Sequence, residues 1–525
     1  MSETRSLVRV DQLTGCGDPD RPAVTFKAET LTYAQLADRV ARAANGLHAL
    51  GVRRGDRVAV YAEKRVETVV ALLAIAAAGA VFVPLNPLFK TRHLAYVIED
   101  CAPVVMITTT ERWETIRTAL TPDSPVNHVV LIGATSSGDV LGWDVLAEAE
   151  PTPVPATVID QDVAAIMYTS GSTGGPKGVV LSHRNILAGA ASVAEYLGHT
   201  PDDVVLAVLP LSFDAGFSQL TTSLIAGAHV VLVNYLLPKE VVRLCALHGV
   251  TGLTCVPPLW LQLVERKWPA EATEKLRYFA NTGGRMPRAT LARLRELYPK
   301  ARPYLMYGLT EAFRSTYLDP AEAAGRPDSI GKAIPNAEIL VVRPDGSPCE
   351  PGEHGELVHR GALVALGYWN DPARTAERFR PAPGASNTGR PEIAVWSGDT
   401  AYRDEEGFLY FVGRVDDMIK TSGYRVSPTE IEEAAYATGL VGEAVALGVD
   451  DPVLGQHVVL VVTLRDPESG ADELPRALGR ELPTYMLPKR IEVLTELPRS
   501  VNGKFDRVEL RQAVRPRDPA PSGSK

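Results

Sequence analysis

Apolar positions at Leu36, Val40, Ala43, Leu47 and Leu50 recur at helical spacing and stop at Gly51, and the pair Thr32 and Gln35 just upstream fits a capping box. The spacing predicts an amphipathic helix. Short β-branched runs follow at 57–61, 104–108 and 129–132, separated by helix-like stretches such as 66–78. Strand–helix alternation of this kind predicts an α/β fold whose core is buried parallel sheet. From Gly413 the texture changes to short charged segments, so a boundary near 412–416 is expected to divide a large domain from a small one. The last stretch, 515–525, is rich in Pro, Ser and Gly and is expected to be loose.

Composition narrows the function classes. A chain of 525 residues, 45% hydrophobic and 22% charged, can bury a substantial core, and its net charge of −9 argues against a general nucleic-acid binder. The 5 cysteines are scattered without a CxxC pair, which predicts neither a disulfide framework nor a zinc site. The most apolar run, 69–83, is shorter than the roughly 20 residues that span a bilayer. A soluble cytoplasmic protein with no membrane association is the expectation.

The most informative stretch is 168–178, YTSGSTGGPKG. The glycines Gly171 and Gly174 let backbone amides approach an anion, the hydroxyls of Thr169, Ser170, Ser172 and Thr173 add donors, and Lys177 supplies positive charge. The same composition also suits a surface turn. It is not a Walker loop, because Pro176 stands where that motif needs its last glycine.

The whole eleven-residue string resembles the phosphate loop of the adenylate-forming superfamily, which comprises acyl-CoA synthetases, luciferases and the adenylation domains of nonribosomal peptide synthetases. Four more segments match in the same order: YGLTE at 307–311, WSGDT at 396–400, GRVDD at 413–417 and NGK at 502–504. The resemblance implies a large N-terminal domain of stacked α/β sheets over 1–412, a hinge at 413–416, and a small mobile α+β domain over 417–514. It implies ATP and Mg²⁺ as cofactors, with Thr310 on the adenylate phosphate and Glu311 holding the metal. Asp399 and Arg414 would bind the ribose, Asp416 would be the pivot, and Lys504 the catalytic lysine of adenylation. Gly283, Gly284 and Arg285 would form the adenine wall, with Tyr307 and Gly308 beside it. A rotated small domain would then bring Lys420 to the active site for the second half-reaction.

The segment 209–220, LPLSFDAGFSQL, bears on the acid. In amino-acid-activating members of the superfamily an Asp in a similar Phe-Asp pair fixes the substrate ammonium, a role open to Asp214; the alternative is a helix-capping or turn residue. Phe213, Phe217, Phe313 and Thr282 would shape the pocket around it. Arg314 either meets a second carboxylate of the acid or pairs with a protein carboxylate. The segments 310–318 and 326–339 look like a subgroup containing exosortase-associated acyl-CoA ligases and stand-alone enzymes that load β-amino acids for macrolactam antibiotics. The resemblance therefore implies adenylation of a β-amino acid and transfer to the phosphopantetheine thiol of a separate acyl carrier protein. The alternative is an AMP-forming acyl-CoA ligase for a non-amino acid, with CoA as acceptor.

Overall fold

Gln35 donates its amide hydrogen to Thr32 Oγ1 and returns a side-chain oxygen to the Thr32 amide, so the expected capping box starts the helix Tyr33–Ala49. Leu36, Val40, Ala43 and Leu47 form its buried face, which packs on the almost wholly apolar helix Val66–Ala77. The computed structural model describes residues 7–138, 140–151, 157–169, 176–384, 392–414, 417–421, 424–451, 455–466, 470–482 and 484–514. The segment 515–525 lies outside the described residues, as do Ser170, Gly171, Ser172, Thr173, Gly174 and Asp416.

The expected strands stand at Arg57–Tyr61, Val105–Thr109 and His128–Ile132, parallel to one another within an eight-stranded sheet. The hairpin Val163–Thr169 and Lys177–Ser182 lies near the opposite edge of that sheet. A second, fourteen-stranded sheet has a parallel core running from Pro22–Phe26 through Val204–Ala207, Gly252–Cys255 and Tyr278–Asn281 to Arg302–Tyr307. It continues through antiparallel strands to Leu409–Arg414 and Ile393–Arg403. Parallel pairing makes up the middle of the eight-stranded sheet and one half of the fourteen-stranded one, and the antiparallel half supplies two further segments of the site described below.

The helix Asp214–Ile225 is buried between these layers along nearly its whole length. Phe217, expected in the acid pocket, belongs instead to the core: it is fully buried and its ring packs 5.2 Å from Phe82 of the eight-stranded sheet. Phe313 is corrected in the same way. Its backbone takes a positive φ of 52°, which turns the ring into the same core against Gly189, where an added Cβ would come within 2.3 Å of the ring.

The small domain is α+β. The strands Val441–Asp451 and Gly455–Leu464 pair antiparallel, with Ile419–Thr421, Tyr424–Val426 and Arg490–Val493 completing a five-stranded sheet. The helices Pro428–Ala437 and Gly470–Glu481 add Ile431, Ala435, Leu474 and Leu478 to its core. No helix among the described residues is long and apolar enough to cross a membrane.

Because Phe217 fills space between the two large sheets, Phe217→Ala is expected to destabilise the large domain by about 3–5 kcal/mol. Thermal or denaturant unfolding measures this. The KM for the acid of the protein that remains folded should not change, since the ring does not line the cavity.

Candidate active site

Two neighbouring parallel strands, Tyr278–Asn281 and Arg302–Tyr307, end beside a cavity of about 400 Å³ that opens beyond their carboxyl ends. This is where open α/β sheets bind ligands, because the loops leaving the strands diverge there. The loops bring Thr282, Gly283, Gly284 and Arg285 to one wall and Gly308, Thr310, Glu311 and Arg314 to another. The hairpin of the eight-stranded sheet adds Thr169 and Lys177, and the antiparallel extension adds Asp399 and Arg414.

At one end of the cavity Lys177 Nζ lies 3.0 Å from Glu311 Oε1 and 3.1 Å from the Tyr368 hydroxyl, which itself donates to Glu311 at 2.6 Å. Burial alone would raise the Glu311 carboxyl, but the Lys177 ammonium and the Tyr368 hydroxyl outweigh it and hold the group below its ordinary value. Further along, Tyr307 donates its hydroxyl to Asp399, and Arg414 Nε stands 3.3 Å from the same carboxylate. Burial pushes the Asp399 carboxyl up, with Arg414 opposing the shift, and burial beside Asp399 pushes the Tyr307 hydroxyl far up.

The other end is built around Asp214, the first residue of its helix and only 4% exposed. Thr310 donates to Asp214 Oδ1 at 3.3 Å, while Oδ2 faces Arg314 Nη1 at 3.9 Å, beyond hydrogen-bond reach. Arg314 donates instead to Thr282 Oγ1 at 3.2 Å, and its Nε is buried with no partner among the described residues. Phe213 lines this end too, with Lys504 Nζ 5.0 Å from its ring centre.

Lys504 comes from the small domain. Gly283 makes room for it: a Cβ there would lie 2.8 Å from Lys504 Cε, and the backbone at φ +76° suits glycine. Burial lowers the Lys504 ammonium's pKa, opposed by the nearby Asp214 carboxylate. Across the same interface Asn86 donates to Val501 O at 2.8 Å, and the Arg288 amide donates to Glu433 Oε1 at 3.1 Å. Arg285 lines the cavity, yet its guanidinium is committed to Asp328 and reaches toward Thr429 O and Glu433. Lys420 lies on the strand Ile419–Thr421 of the small domain.

The sequence reading missed Tyr368, Arg378, Asp328 and Asn502, all of which line the cavity. Tyr368 stands in a Gly-Tyr-Trp triplet and Arg378 in the charged run TAERF; neither string signals a nucleotide without its neighbours in space.

The sequence profile described as "AMP-binding enzyme" matches residues 15–369, and that of the "AMP-binding enzyme C-terminal domain" matches 430–504. Feruloyl-CoA synthase of an Amycolatopsis species is 32% identical over 94% of this chain and 96% of its own length. A linear gramicidin synthase of Brevibacillus parabrevis is 33% identical over 94% of this chain, which spans only 6% of that protein. Among solved structures, ATP-bound MatB from Rhodopseudomonas palustris superposes with a TM-score of 0.85 at 28% identity, over 96% of this chain and 99% of that one.

A carboxyl held below its ordinary value of 4.5 contributes stability that is complete above the unfolded pKa and is lost as pH falls through the folded one. The thermal midpoint of wild type is therefore expected to exceed that of Glu311→Gln by a constant margin near neutrality. The margin should shrink as pH falls below that ordinary value and Glu311 takes up its proton. A margin unchanged through the acid range would mean that the ion pair with Lys177 contributes nothing to the folded state.

Proposed function

The chain belongs to the AMP-binding enzyme family and is an AMP-forming acid ligase, and from that premise we propose that it adenylates a β-amino acid with ATP and passes the acyl group to the phosphopantetheine thiol of a separate carrier protein. The observation that supports the adenylation chemistry most directly is the seat of Lys504. Its ammonium lies within electrostatic reach of Asp214 and Arg314 at the acid end and of Arg414 and Asp399 at the nucleotide end.

Attack of a carboxylate oxygen on the α-phosphorus brings two anions together and builds charge on the phosphoryl oxygens. Preorganised cations and donors are the usual largest catalytic contribution to such a step. In this reading Asp399 and Arg414 fix the ribose, Tyr307 lies against the adenine beside the Gly283–Gly284 wall, and Lys504 and the Thr310 hydroxyl meet the phosphoryl oxygens. Thr169 and Lys177 frame the phosphate side. Glu311 suits Mg²⁺, which commonly takes one or two carboxylates and completes its shell with substrate phosphates; the ion would supply charge neutralisation there.

Asp214 supports the choice of acid. A buried carboxylate with one oxygen 3.9 Å from its nearest guanidinium has room for a substrate ammonium at hydrogen-bond distance. The partnerless Arg314 Nε favours a second reading, an acid with a distal carboxylate or other acceptor. Carrier proteins and CoA present the same pantetheine thiol, and the full-length likeness to a feruloyl-CoA synthase favours CoA as the second candidate acceptor.

Pyrophosphate release with ATP, Mg²⁺ and a panel of β-amino, α-amino, desamino and dicarboxylic acids tests the acid. The expected result is a β-amino preference that Asp214→Ala removes. A best response to desamino acids would overturn the amino-acid reading. Lys504→Ala is expected to slow adenylation by ~10²–10³, the scale for losing one preorganised donor, while transfer from preformed adenylate slows less. Equal loss in both half-reactions would remove Lys504 from the adenylation step.

A further inference from the structure

The helix Pro372–Arg378 packs on Gly367–Tyr368, with the Tyr368 amide donating to Thr375 Oγ1 at 2.9 Å, and its last residue carries a guanidinium to the cavity wall. The other arginines lining the cavity each face a carboxylate: Arg285 meets Asp328, Arg314 meets Asp214, and Arg414 meets Asp399. Arg378 forms no ion pair among the described residues. Its one hydrogen bond there runs from Nη1 to the Trp396 carbonyl at 3.3 Å, which leaves most of its donors unused.

The space it occupies is kept for it. Gly398 has φ +72°, and a Cβ at that position would lie 2.2 Å from Arg378 Nη1 and 3.0 Å from Cζ. The guanidinium thus rests on the bare α-carbon immediately before Asp399. Its charge acts on the Asp399 carboxyl on one side and on the Tyr368 hydroxyl on the other. Tyr368 in turn touches Lys177 and Glu311. Arg378 therefore stands between the carboxylate suited to a ribose and the cation suited to the far phosphates.

We propose that Arg378 binds the β- and γ-phosphates of ATP and holds the pyrophosphate as it leaves, an assignment that rests on the adenylation reading above. In that step the acid's carboxylate oxygen forms a bond to the α-phosphorus, and the bond from the α-phosphorus to the bridging oxygen breaks. The electron pair stays on pyrophosphate, so negative charge grows beside Arg378 and no proton needs to move. A planar guanidinium with free donors suits a polyphosphate, which it can meet through two parallel hydrogen bonds.

Calorimetric titration of Arg378→Gln, Arg378→Lys and wild type with ATP and with AMP, without acid or thiol, tests the assignment. ATP affinity of Arg378→Gln is expected to fall about 10- to 100-fold, with AMP affinity changed less than about threefold and Arg378→Lys intermediate. The KM for pyrophosphate in ATP synthesis from the adenylate should rise in parallel, and thioester formation from preformed adenylate should not change. Retained AMP binding also reports that the variants fold. AMP and ATP weakened alike would overturn the proposal in favour of a role at the ribose or in the fold. ATP binding left intact in Arg378→Gln would overturn it outright, and wild type that binds no ATP would overturn the adenylation reading together with it.

Discussion

The ion pair between Lys177 and Glu311 fixes the geometry on which the cavity depends. Lys177 begins the strand Lys177–Ser182 of one sheet and Glu311 follows the last parallel strand of the other, so their 3.0 Å contact ties the two layers together at the site. Tyr368 donates to Glu311, and the Ala365 amide donates to the Glu311 carbonyl at 2.8 Å, which anchors a third segment to the same point. Burying two charges costs several kcal/mol per ion before their attraction is counted. That cost is offset here by short geometry and by the extra donor. Such a pair fixes position more than it adds stability, and the carboxylate it orders faces the cavity.

Much of the fold was legible in the sequence because its signals are local. A capping box followed by apolar residues at helical spacing has one low-energy outcome, and Tyr33–Ala49 adopts it. The β-branched runs became strands within a residue at either end. The order of YGLTE, WSGDT and NGK along the chain pointed to one site, and the segments described do converge on one cavity. Side-chain direction was not legible. Phe217 lies one helical turn from Asp214, close enough in sequence to suggest a shared pocket, yet the neighbouring sheet offers Phe82 and takes the ring. Phe313 turns on a left-handed backbone that a phenylalanine rarely adopts, stabilised by the gap at Gly189. Arg378 and Tyr368 become informative only when placed in space near Asp399 and Glu311.

Among the described residues, two groups of polar contacts join the domains beside the cavity. On one side Arg285 and Arg288 converge on Asp328, with the Arg288 amide and the Arg285 guanidinium turned toward Glu433 of the small domain. Burial raises the Glu433 carboxyl, with Arg285 opposing the shift, so this contact holds a partly desolvated charge near a cationic cluster. On the other side the chain around Asn502 lies against Asn86 and carries Lys504 past Gly283. The second group is sterically exacting, because a lysine reaching through a gap shaped by a missing Cβ tolerates little displacement. Polar contacts of this kind exchange their partners for water when a domain turns. Interfaces between domains of one chain resemble transient protein–protein contacts in their polarity.

Charge balance within the closed space bears on the acid that the cavity accepts. A site that gathers a carboxylate and a polyphosphate gains from every cation, so a buried carboxylate at its acid end works against binding unless something positive comes close to it. Arg314 offsets Asp214 only through space, at 3.9 Å, because its own hydrogen bond goes to Thr282. The Lys504 ammonium acts on Asp214 as well, but in the reading given above it is needed at the phosphoryl oxygens. An acid that carries its own ammonium resolves the conflict: it brings the positive charge to Asp214 and leaves Lys504 free for the nucleotide. A plain acid of the same size leaves the Asp214 charge in competition with its own carboxylate for the same two cations. On the proposed function, selectivity for an amino group would rest on the cost of a desolvated carboxylate.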